Sequence, residues 1–396
     1  MHLIERHARA SALLAAARDV IDVRPEGPDA PPWCDARGWR PYLAGLDDRA
    51  VVQAEREGLA AVIETHRDAP ADLVAMAREV AAVTALPWLG GAAGRVVDRR
   101  RASPRKQAQV AAFEALAVRV AVGRERVVDV GSGHGHLTRH LAGALDVRAE
   151  GWERDPARVA VASSLARDDR ARFVVAEASS LSATLRASDL VVGLHACGAL
   201  GDLAVQAAAQ SGAALALVGC CLQKRSAARE PLAVAVGITP ESLTLDRKVL
   251  GLGNARDGDE GVEDDLATRT RSRVQRRALA AVFGAVGHAV DAGEEMRGVN
   301  RRRATGDFAA LVALAFAAHG VDAPPWAVTR AALEAAQADY QHERRWALPR
   351  AMLARLVEVW VALDRAAHLQ QRGYEAAVGV AFDAAESPRN VAVVAG

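Results

Sequence analysis

The sequence is poor in several residue types, and each shortage narrows what the chain can be. Only 4% of its 396 residues are aromatic, so alanine, valine and leucine must supply most of a buried core. Four cysteines with no framework spacing favour a reducing, cytoplasmic compartment. No stretch approaches the roughly 18 apolar residues of a membrane span, and no signal peptide is expected. The formal net charge of +1 excludes a global field that would attract nucleic acid.

Lysine is also scarce, so arginine carries almost all of the positive charge. Lysine occurs only at positions 106, 224 and 248, and arginines concentrate in clusters along the chain. The largest cluster in the C-terminal half comprises Arg269, Arg271, Arg273, Arg276 and Arg277. Such a cluster is either a solvated helix face or part of a surface that presents a polyanionic acceptor.

The hydrophobic periodicity changes along the chain and predicts an α/β fold with additions. Residues 1–100 show helical patterns separated by proline-rich joints, and we expect a helical N-terminal region. Residues 101–224 alternate valine-rich strands with helices, which is typical of βαβ units and a parallel sheet. Residues 225–350 predict a helical insertion after the fifth strand, a candidate substrate-binding region. Residues 351–396 complete the core with an amphipathic helix over Met352–Gln371 and two strands, giving a seven-stranded, mostly parallel sheet.

The most informative stretch of the chain is Val127-Val-Asp-Val-Gly-Ser-Gly-His-Gly-His-Leu137. A β-branched run ends in a glycine loop and a helical pattern follows, so the loop bares backbone at the end of a strand. The Gly-x-Gly-x-Gly spacing after an aspartate resembles the first motif of class I S-adenosylmethionine (SAM) methyltransferases more than a dinucleotide fingerprint. The candidate cofactor-binding residues in this stretch are Asp129, Gly131, Ser132, Gly133, Gly135, His136 and Leu137.

Further candidate cofactor residues follow the later strands in order. Glu153 ends the second strand about 20 residues on, where a carboxylate accepts hydrogen bonds from ribose hydroxyls. Glu177 follows the third strand and is placed to meet the adenine edge. Leu194 closes the fourth strand, and Lys106 approaches from the upstream helix. A lone glutamate is usually only solvated, but the ordered set predicts a SAM site with a Rossmann-like fold.

The residues predicted to carry the chemistry follow the fourth and fifth strands. These strands end in His195-Ala-Cys197 and Gly219-Cys-Cys221, and Lys224 comes shortly after. His195 is predicted to contact the acceptor or to act as a general base, because imidazole titrates near neutrality. Cys197, Cys220, Cys221 and Lys224 are predicted to line the same catalytic pocket.

For metals, the expectation is that none is bound. His195, Cys197, Cys220 and Cys221 are nevertheless a zinc-competent set of one imidazole and three thiols. Their spacings differ from the usual Cys-x-x-Cys knuckle, and cysteines are often small buried apolar groups. Both alternatives stay open on the sequence alone.

A set of ordered motifs extends this pattern over residues 101–396. The motifs are Ser103-Pro-Arg-Lys106, Asp129–Leu137, Gly193-Leu-His-Ala-Cys-Gly198, Val218-Gly-Cys-Cys221 with Lys224, Leu356-Val-Glu358, Leu363-Asp-Arg365 and Ser387-Pro-Arg-Asn390. The set resembles the methyltransferase-like family named for a ribosomal RNA adenine dimethylase domain. The His-x-Cys-Gly and Cys-Cys pair is also similar to the tRNA 2′-O-methyltransferases of the acceptor stem. The resemblance implies a SAM-binding core and an RNA substrate.

Two positions depart from what that family's name implies. Adenine N6-dimethylases are expected to carry an Asn-x-Pro-Tyr-type motif after strand four, whose aromatic ring stacks on a flipped base. His195-Ala-Cys-Gly198 stands there instead, and Leu222 replaces the family's aromatic residue after the cysteine pair. Both differences argue against adenine N6-dimethylation and leave a ribose hydroxyl or another base position as the target.

The sequence therefore predicts a cytoplasmic SAM-dependent methyltransferase that acts on tRNA or rRNA, with Arg276 and its neighbours presenting the acceptor. One alternative is methylation of a small molecule or a protein side chain, which the near-zero net charge favours. Another is a non-catalytic module that binds SAM. The sequence specifies neither the acceptor atom nor the oligomeric state.

Overall fold

The computed structural model describes residues 2–91, 102–167, 169–235, 237–255, 262–291 and 293–396. Helices dominate the part of the chain before the sheet. They are α1 (Leu3–Ala16), α2 (Arg18–Asp22), α3 (Pro32–Ala36), α4 (Arg40–Gly45), α5 (Asp48–Glu57), α6 (Leu59–Ile63), α7 (Ala71–Thr84) and α8 (Pro104–Val118). The last of these begins as its sequence predicts: Pro104 occupies the first turn, and the Ser103 hydroxyl accepts a hydrogen bond from the Lys106 amide at 3.2 Å.

From residue 126 strands and helices alternate. They are β1 (Arg126–Val130), α9 (His136–Ala144), β2 (Arg148–Glu153), α10 (Pro156–Leu165), β3 (Ala171–Val175), α11 (Leu181–Thr184), β4 (Asp189–Ala196), α12 (Ala199–Ser211) and β5 (Ala214–Gly219). The central strands are buried along nearly their whole length, as expected of parallel strands covered on both faces.

Helices return after β5, and two strands close the chain. The elements are α13 (Pro240–Leu243), α14 (Arg247–Leu250), α15 (Val262–Ala285), α16 (Phe308–His319), α17 (Trp326–Met352), α18 (Ala354–Gln370), β6 (Ala376–Val380) and β7 (Val391–Ala395). Short 3-10 turns lie at Ala178–Ser180, Gly251–Ala255, Glu294–Met296 and Arg301–Thr305.

Within the described residues, seven strands form one sheet in the order β3-β2-β1-β4-β5-β7-β6. Strands β1 to β5 are parallel to their neighbours, and β7 runs antiparallel to both β5 and β6. The prediction of an α/β, Rossmann-like core with a seven-stranded, mostly parallel sheet is thereby confirmed. So is the helical segment after the fifth strand.

The chain divides into two compact units, one of 1–22, 74–259 and 351–396, the other of 23–73 and 260–350. In the first unit, a core forms where Phe113 of α8 and Leu141 of α9 pack on alternate residues of the strands, such as Val192. In the second unit, α15, α16 and α17 share a core in which the rings of Phe283 and Phe316 stack with centroids 4.2 Å apart. None of the helices in the described ranges is long and apolar enough to cross a membrane.

Candidate functional site

The strand order places a crevice at the carboxyl ends of β1 and β4. From β1 the chain moves outward to β2 and β3, and then returns to the other side of β1 as β4. The connections on the two sides of β1 therefore diverge, and ligands bind at such a switch point in open α/β sheets. The predicted glycine loop follows β1 at this point, and His195 lies at the end of β4.

The glycine loop has the backbone that its sequence predicts. Gly131, Gly133 and Gly135 all have positive φ, at 71°, 57° and 72°. An added Cβ at Gly135 would overlap the ring of Phe173, whereas one at Gly133 would meet nothing within 4 Å. The Ser132 hydroxyl is buried and has no hydrogen-bond partner within the described part of the chain. The loop thus combines open space with an unsatisfied polar atom, and such an atom calls for a ligand or water.

Asp129 lies buried near the end of β1, two residues before the first glycine of this loop. Its carboxylate is 2% exposed and accepts a hydrogen bond from the Thr138 hydroxyl of α9 at 2.6 Å. Burial raises the pKa of Asp129 to about 6, against the opposing effects of the Thr138 bond and the nearby Lys106 cation. Burial likewise lowers the pKa of Lys106. Lys106 therefore lies close to the loop, as predicted, and Leu137 lies buried on the first turn of α9.

The acidic residues differ in their surroundings. Glu153 is buried at the end of β2, and its two carboxylate oxygens accept the backbone amides of Gly133 and Asp155, each at 3.1 Å. A carboxylate offers about four lone pairs, so Glu153 can still accept from ligand hydroxyls. Glu177 follows β3 and is exposed, and His136 begins α9 with its ring 3.3 Å from Arg139.

His195 is held in a strained backbone conformation. Its φ is +69°, a region that residues other than glycine rarely adopt, and the pairing of β4 with β5 is irregular between Leu194 and Ala196. Strain of this kind costs on the order of 1–3 kcal/mol and concentrates at functional sites. Leu194 itself is buried, but the strand runs two residues further than expected and ends at Ala196.

The hydrogen bonds around His195 define its tautomer. The Gln109 amide nitrogen donates to the Glu386 carbonyl at 3.1 Å, so its oxygen faces the His195 ring. That oxygen lies 2.9 Å from Nε2 of His195. Nε2 therefore carries the proton and Nδ1 keeps a free lone pair for a proton acceptor role. The sequence reasoning missed Gln109, although it lies three residues after Lys106 and thus on the same face of α8.

Two Ser-Pro-Arg segments, far apart in sequence, converge beside His195. Arg105 of the first donates to the carbonyl of Glu386, which directly precedes the second. Burial and, to a lesser degree, the cations of Lys106, Arg389 and Arg105 together lower the pKa of His195 to about 4. The imidazole is therefore neutral at physiological pH within a ring of positive charge.

The predicted cysteines come together after β4 and β5. The Sγ atoms of Cys197, Cys220 and Cys221 all lie within 4.8 Å of one another, with the first two 2.7 Å apart. The hydrogen bond between these two sulfurs lowers the pKa of the Cys197 thiol and raises that of the Cys220 thiol. The backbone of Lys224 lies against the turn after β4, where its carbonyl accepts the Ala199 amide. The ring nitrogens of His195 do not belong to the thiol cluster among the described residues.

The arginines that were expected to present an acceptor are occupied within their own unit. Arg276 pairs with the buried Glu295 at 2.6 Å, and Arg277 pairs with Glu343 at 2.5 Å. Arg273 donates to the hydroxyl of Tyr340 at 3.4 Å. These contacts hold α15 to its neighbours, so the arginine cluster stabilises the packing of this unit, which the sequence alone did not reveal.

Comparison with known proteins bears on this geometry in two ways. A family model described as a methyltransferase domain matches residues 105–228, under half of the chain but the part that contains the glycine loop, His195 and the three clustered cysteines. The chain therefore contains a methyltransferase domain, and the prediction of a methyltransferase is confirmed at that level.

Solved structures give weaker likenesses. One is coclaurine N-methyltransferase bound to N-methylheliamine and SAH, with 13% identity over 45% of this chain and 59% of that one, and a TM-score of 0.25. Another is the plantazolicin methyltransferase BpumL in complex with SAH, with 12% identity over 47% of this chain and 61% of that one, and a TM-score of 0.24. The chain thus covers about three fifths of the length of each protein.

Proposed function

We propose that the chain is a SAM-dependent methyltransferase with its cofactor at the carboxyl end of β1. The observation that carries this proposal is the glycine loop at the switch point, where the Ser132 hydroxyl is buried without a partner in the described residues. The methyltransferase-domain match over 105–228 supports the same assignment.

The residues of the loop fit SAM. Open space at Gly133 admits the ligand to the backbone, and Glu153 retains lone pairs for two ribose hydroxyls. Glu177, exposed after β3, would meet the adenine edge. Lys106 and Asp129 would hold the loop in place, because the Lys106 cation attracts the Asp129 carboxylate that precedes the loop.

When bound, SAM supplies a methyl group made electrophilic by its sulfonium. Transfer would break the bond between the sulfur and the methyl carbon and leave S-adenosylhomocysteine, so the acceptor atom must be aligned with that carbon and must lose one proton. His195 would accept that proton at Nδ1, because Gln109 keeps Nε2 protonated. The ring is neutral at physiological pH, so the Nδ1 lone pair is available, although the lowered pKa makes it a weaker base than a free imidazole.

We infer that the acceptor is a phosphate-bearing molecule, with RNA as the first candidate. Arg105, Lys106 and Arg389 surround His195 with positive charge, and arginine forks match phosphate oxygens. The resemblance to the family named for an rRNA adenine dimethylase domain and to the tRNA 2′-O-methyltransferases favours RNA as well. The ion pairs of Arg276 and Arg277 favour the alternative of a smaller acceptor, because they withdraw charge from a broad RNA surface.

Two other expectations remain predictions. The first is that residues 225–350 help to bind the substrate. The second is a cytoplasmic location, which the free thiols of all four cysteines support.

The proposal is tested by transfer of labelled methyl from SAM into fractionated RNA, protein and metabolites from a cell extract. We expect label in the RNA fraction, and His195→Ala should reduce it about 10²–10⁴-fold, the usual contribution of a general base. Label in protein or metabolites alone would refute RNA as the acceptor but would still support methyltransferase activity. An absence of label in every fraction, with SAM still bound, would instead support a non-catalytic module.

The phosphate argument has its own control. Arg389→Gln should weaken RNA binding and reduce the slope of log affinity against log salt by roughly one, since one phosphate contact is lost. Arg330→Gln, at a 63% exposed position on α17, should leave that slope unchanged. Equal slopes in wild type and Arg389→Gln would contradict the contact.

A further inference from the structure

The sheet brings three thiols from two separate strand ends to one point. Cys197 directly follows β4, and Cys220 and Cys221 directly follow β5. Strands β4 and β5 are hydrogen-bonded neighbours that pair up to Ala196 and Gly219, so the residues after them must emerge side by side. All three Sγ atoms consequently lie within 4.8 Å of one another.

We propose that Cys197, Cys220 and Cys221 bind one thiophilic divalent cation, with Zn²⁺ as the expected occupant. Thiolate sulfur is a preferred zinc ligand, and a Zn–S bond of about 2.3 Å in tetrahedral geometry places sulfurs roughly 3.8 Å apart. That spacing lies within the 4.8 Å of the cluster. The Cys197 and Cys220 sulfurs, now 2.7 Å apart, need to separate by only about 1 Å to reach it.

The charges around the cluster suit such a complex. Three thiolates and one Zn²⁺ carry a net charge of −1, because the metal neutralises two of the three negative charges. The cations of Lys106 and Lys224 act on Cys220 and Cys197, respectively. They would offset the remaining charge, which lowers the cost of holding an anionic centre at a partly buried position.

The accessibility of the thiols argues against a merely packing role. Cys34 of α3 shows what a structural cysteine looks like in this chain, because it is fully buried. The three clustered cysteines are each only partly buried, so an ion can reach them. A redox pair of Cys197 and Cys220 would leave Cys221 unexplained, whereas a metal site uses all three.

The site has three ligands and an open position. Among the described residues no histidine or carboxylate joins the cluster, and Nε2 of His195 is bound to Gln109. Three protein ligands with a free fourth position are the arrangement of a catalytic zinc centre, in which water or substrate completes the tetrahedron. The Cys220 sulfur lies 3.6 Å from the His195 carbonyl, so the metal would sit beside the proposed base. Metal binding by the three cysteines does not depend on the proposed function. Only a role of the metal in binding the acceptor rests on that proposed function.

The test is direct metal binding by the full-length, reduced protein. After incubation with Zn²⁺ and desalting, elemental analysis should give one zinc per chain, and Co²⁺ should give a thiolate-to-metal charge-transfer band. Cys220→Ala and Cys221→Ala should each weaken zinc binding at least tenfold, since loss of a ligand exceeds the roughly 10–100-fold effect of outer partners. If the alanine variants fold poorly, Cys221→His is tested instead. This substitution keeps a metal ligand, so the variant should retain zinc.

Two controls separate this proposal from its rivals. Cys34→Ala and His195→Ala should both keep one zinc per chain, because neither residue belongs to the cluster. No zinc uptake by the reduced protein would overturn the site, as would uptake unchanged by the cysteine variants. A Cys197–Cys220 disulfide with no bound zinc would overturn it in favour of a redox pair. SAM binding measured on the same samples shows independently whether the proposed function holds.

Discussion

His195 shows how much a single residue gains from its surroundings. A histidine at the end of the fourth strand is visible in the sequence, but its positive φ and its fixed tautomer are not. The tautomer depends on Gln109 and on the carbonyl of Glu386, which lies 277 residues from Gln109 in sequence. This chain of hydrogen bonds from Glu386 through Gln109 to His195 depends on contact between α8 and the loop before β7. No local sequence motif could therefore have predicted it.

Gln109 therefore provides a test at the scale of one residue. Gln109→Leu should lower kcat of methyl transfer roughly tenfold or more, because Nε2 loses its acceptor and the imidazole its orientation. Gln109→Glu should recover much of kcat, since a carboxylate also accepts from Nε2. The affinity for SAM should stay the same in both variants. Gln107→Leu is the matched control, because the Gln107 amide donates to the Ala102 carbonyl instead. A loss of kcat equal to that in the control would contradict a positioning role.

The helix α18 shows the corresponding limit at the scale of an element. Its spacing of leucines predicts an amphipathic helix with one apolar face, but every residue from Leu356 to Leu369 is buried. The helix packs against β6 and β7 and also against α1, so its polar face is covered as well. Polar residues on α18 remain buried because each finds a partner, which the pattern of hydrophobicity does not encode.

A buried ionic network supplies those partners. Arg229, 1% exposed, donates to Asp202 of α12 at 3.1 Å and to Asp364 of α18 at 2.7 Å. Arg365 donates to Asp202 at 2.8 Å, and Asp364 accepts the backbone amides of the segment after β5. The motif residues Asp364 and Arg365 thus tie α18 to α12 and to the segment after β5.

Asp202→Ala should therefore lower the free energy of unfolding by about 3–5 kcal/mol, the usual effect of removing one partner from a buried ion pair. Arg229 lowers the pKa of Asp202 below its ordinary 3.8 in spite of burial, with Arg365 adding to the effect. A carboxylate whose pKa is lower in the folded state than in the unfolded state stabilises the fold fully at a pH above its unfolded-state pKa. That stabilisation is lost as the pH falls from the unfolded-state pKa through the folded-state pKa.

The difference between wild type and Asp202→Ala in urea unfolding should accordingly be constant above about pH 5 and shrink towards pH 3. Glu79→Gln disrupts an exposed pair with Arg9, whose side chains are 38% and 41% exposed, and should change stability by at most about 1 kcal/mol. Equal effects of the two substitutions would show that the network does not stabilise the fold.

At the scale of the whole molecule, the sheet was the most predictable feature. Alternating strands and helices specify parallel order, and the glycine loop, Glu153 and the His-x-Cys motif lie at the carboxyl ends of β1, β2 and β4. The order of motifs therefore predicted one shared edge of the sheet. The pairing of α15 arginines with Glu295 and Glu343 was not predictable, because those partners lie in other elements whose positions depend on tertiary packing.

The central claim is that SAM binds at the carboxyl end of β1, and calorimetric titration of SAM into the protein tests it most directly. We expect one site per chain, and Glu153→Ala should weaken it at least tenfold, because hydrogen bonds to a charged group contribute about 1.5–3 kcal/mol each. Glu150→Ala, three residues earlier on β2, removes a carboxylate that accepts the Trp152 indole and should leave SAM affinity unchanged. An absence of SAM binding by the folded wild-type protein, or equal affinity in Glu153→Ala, would contradict the assignment.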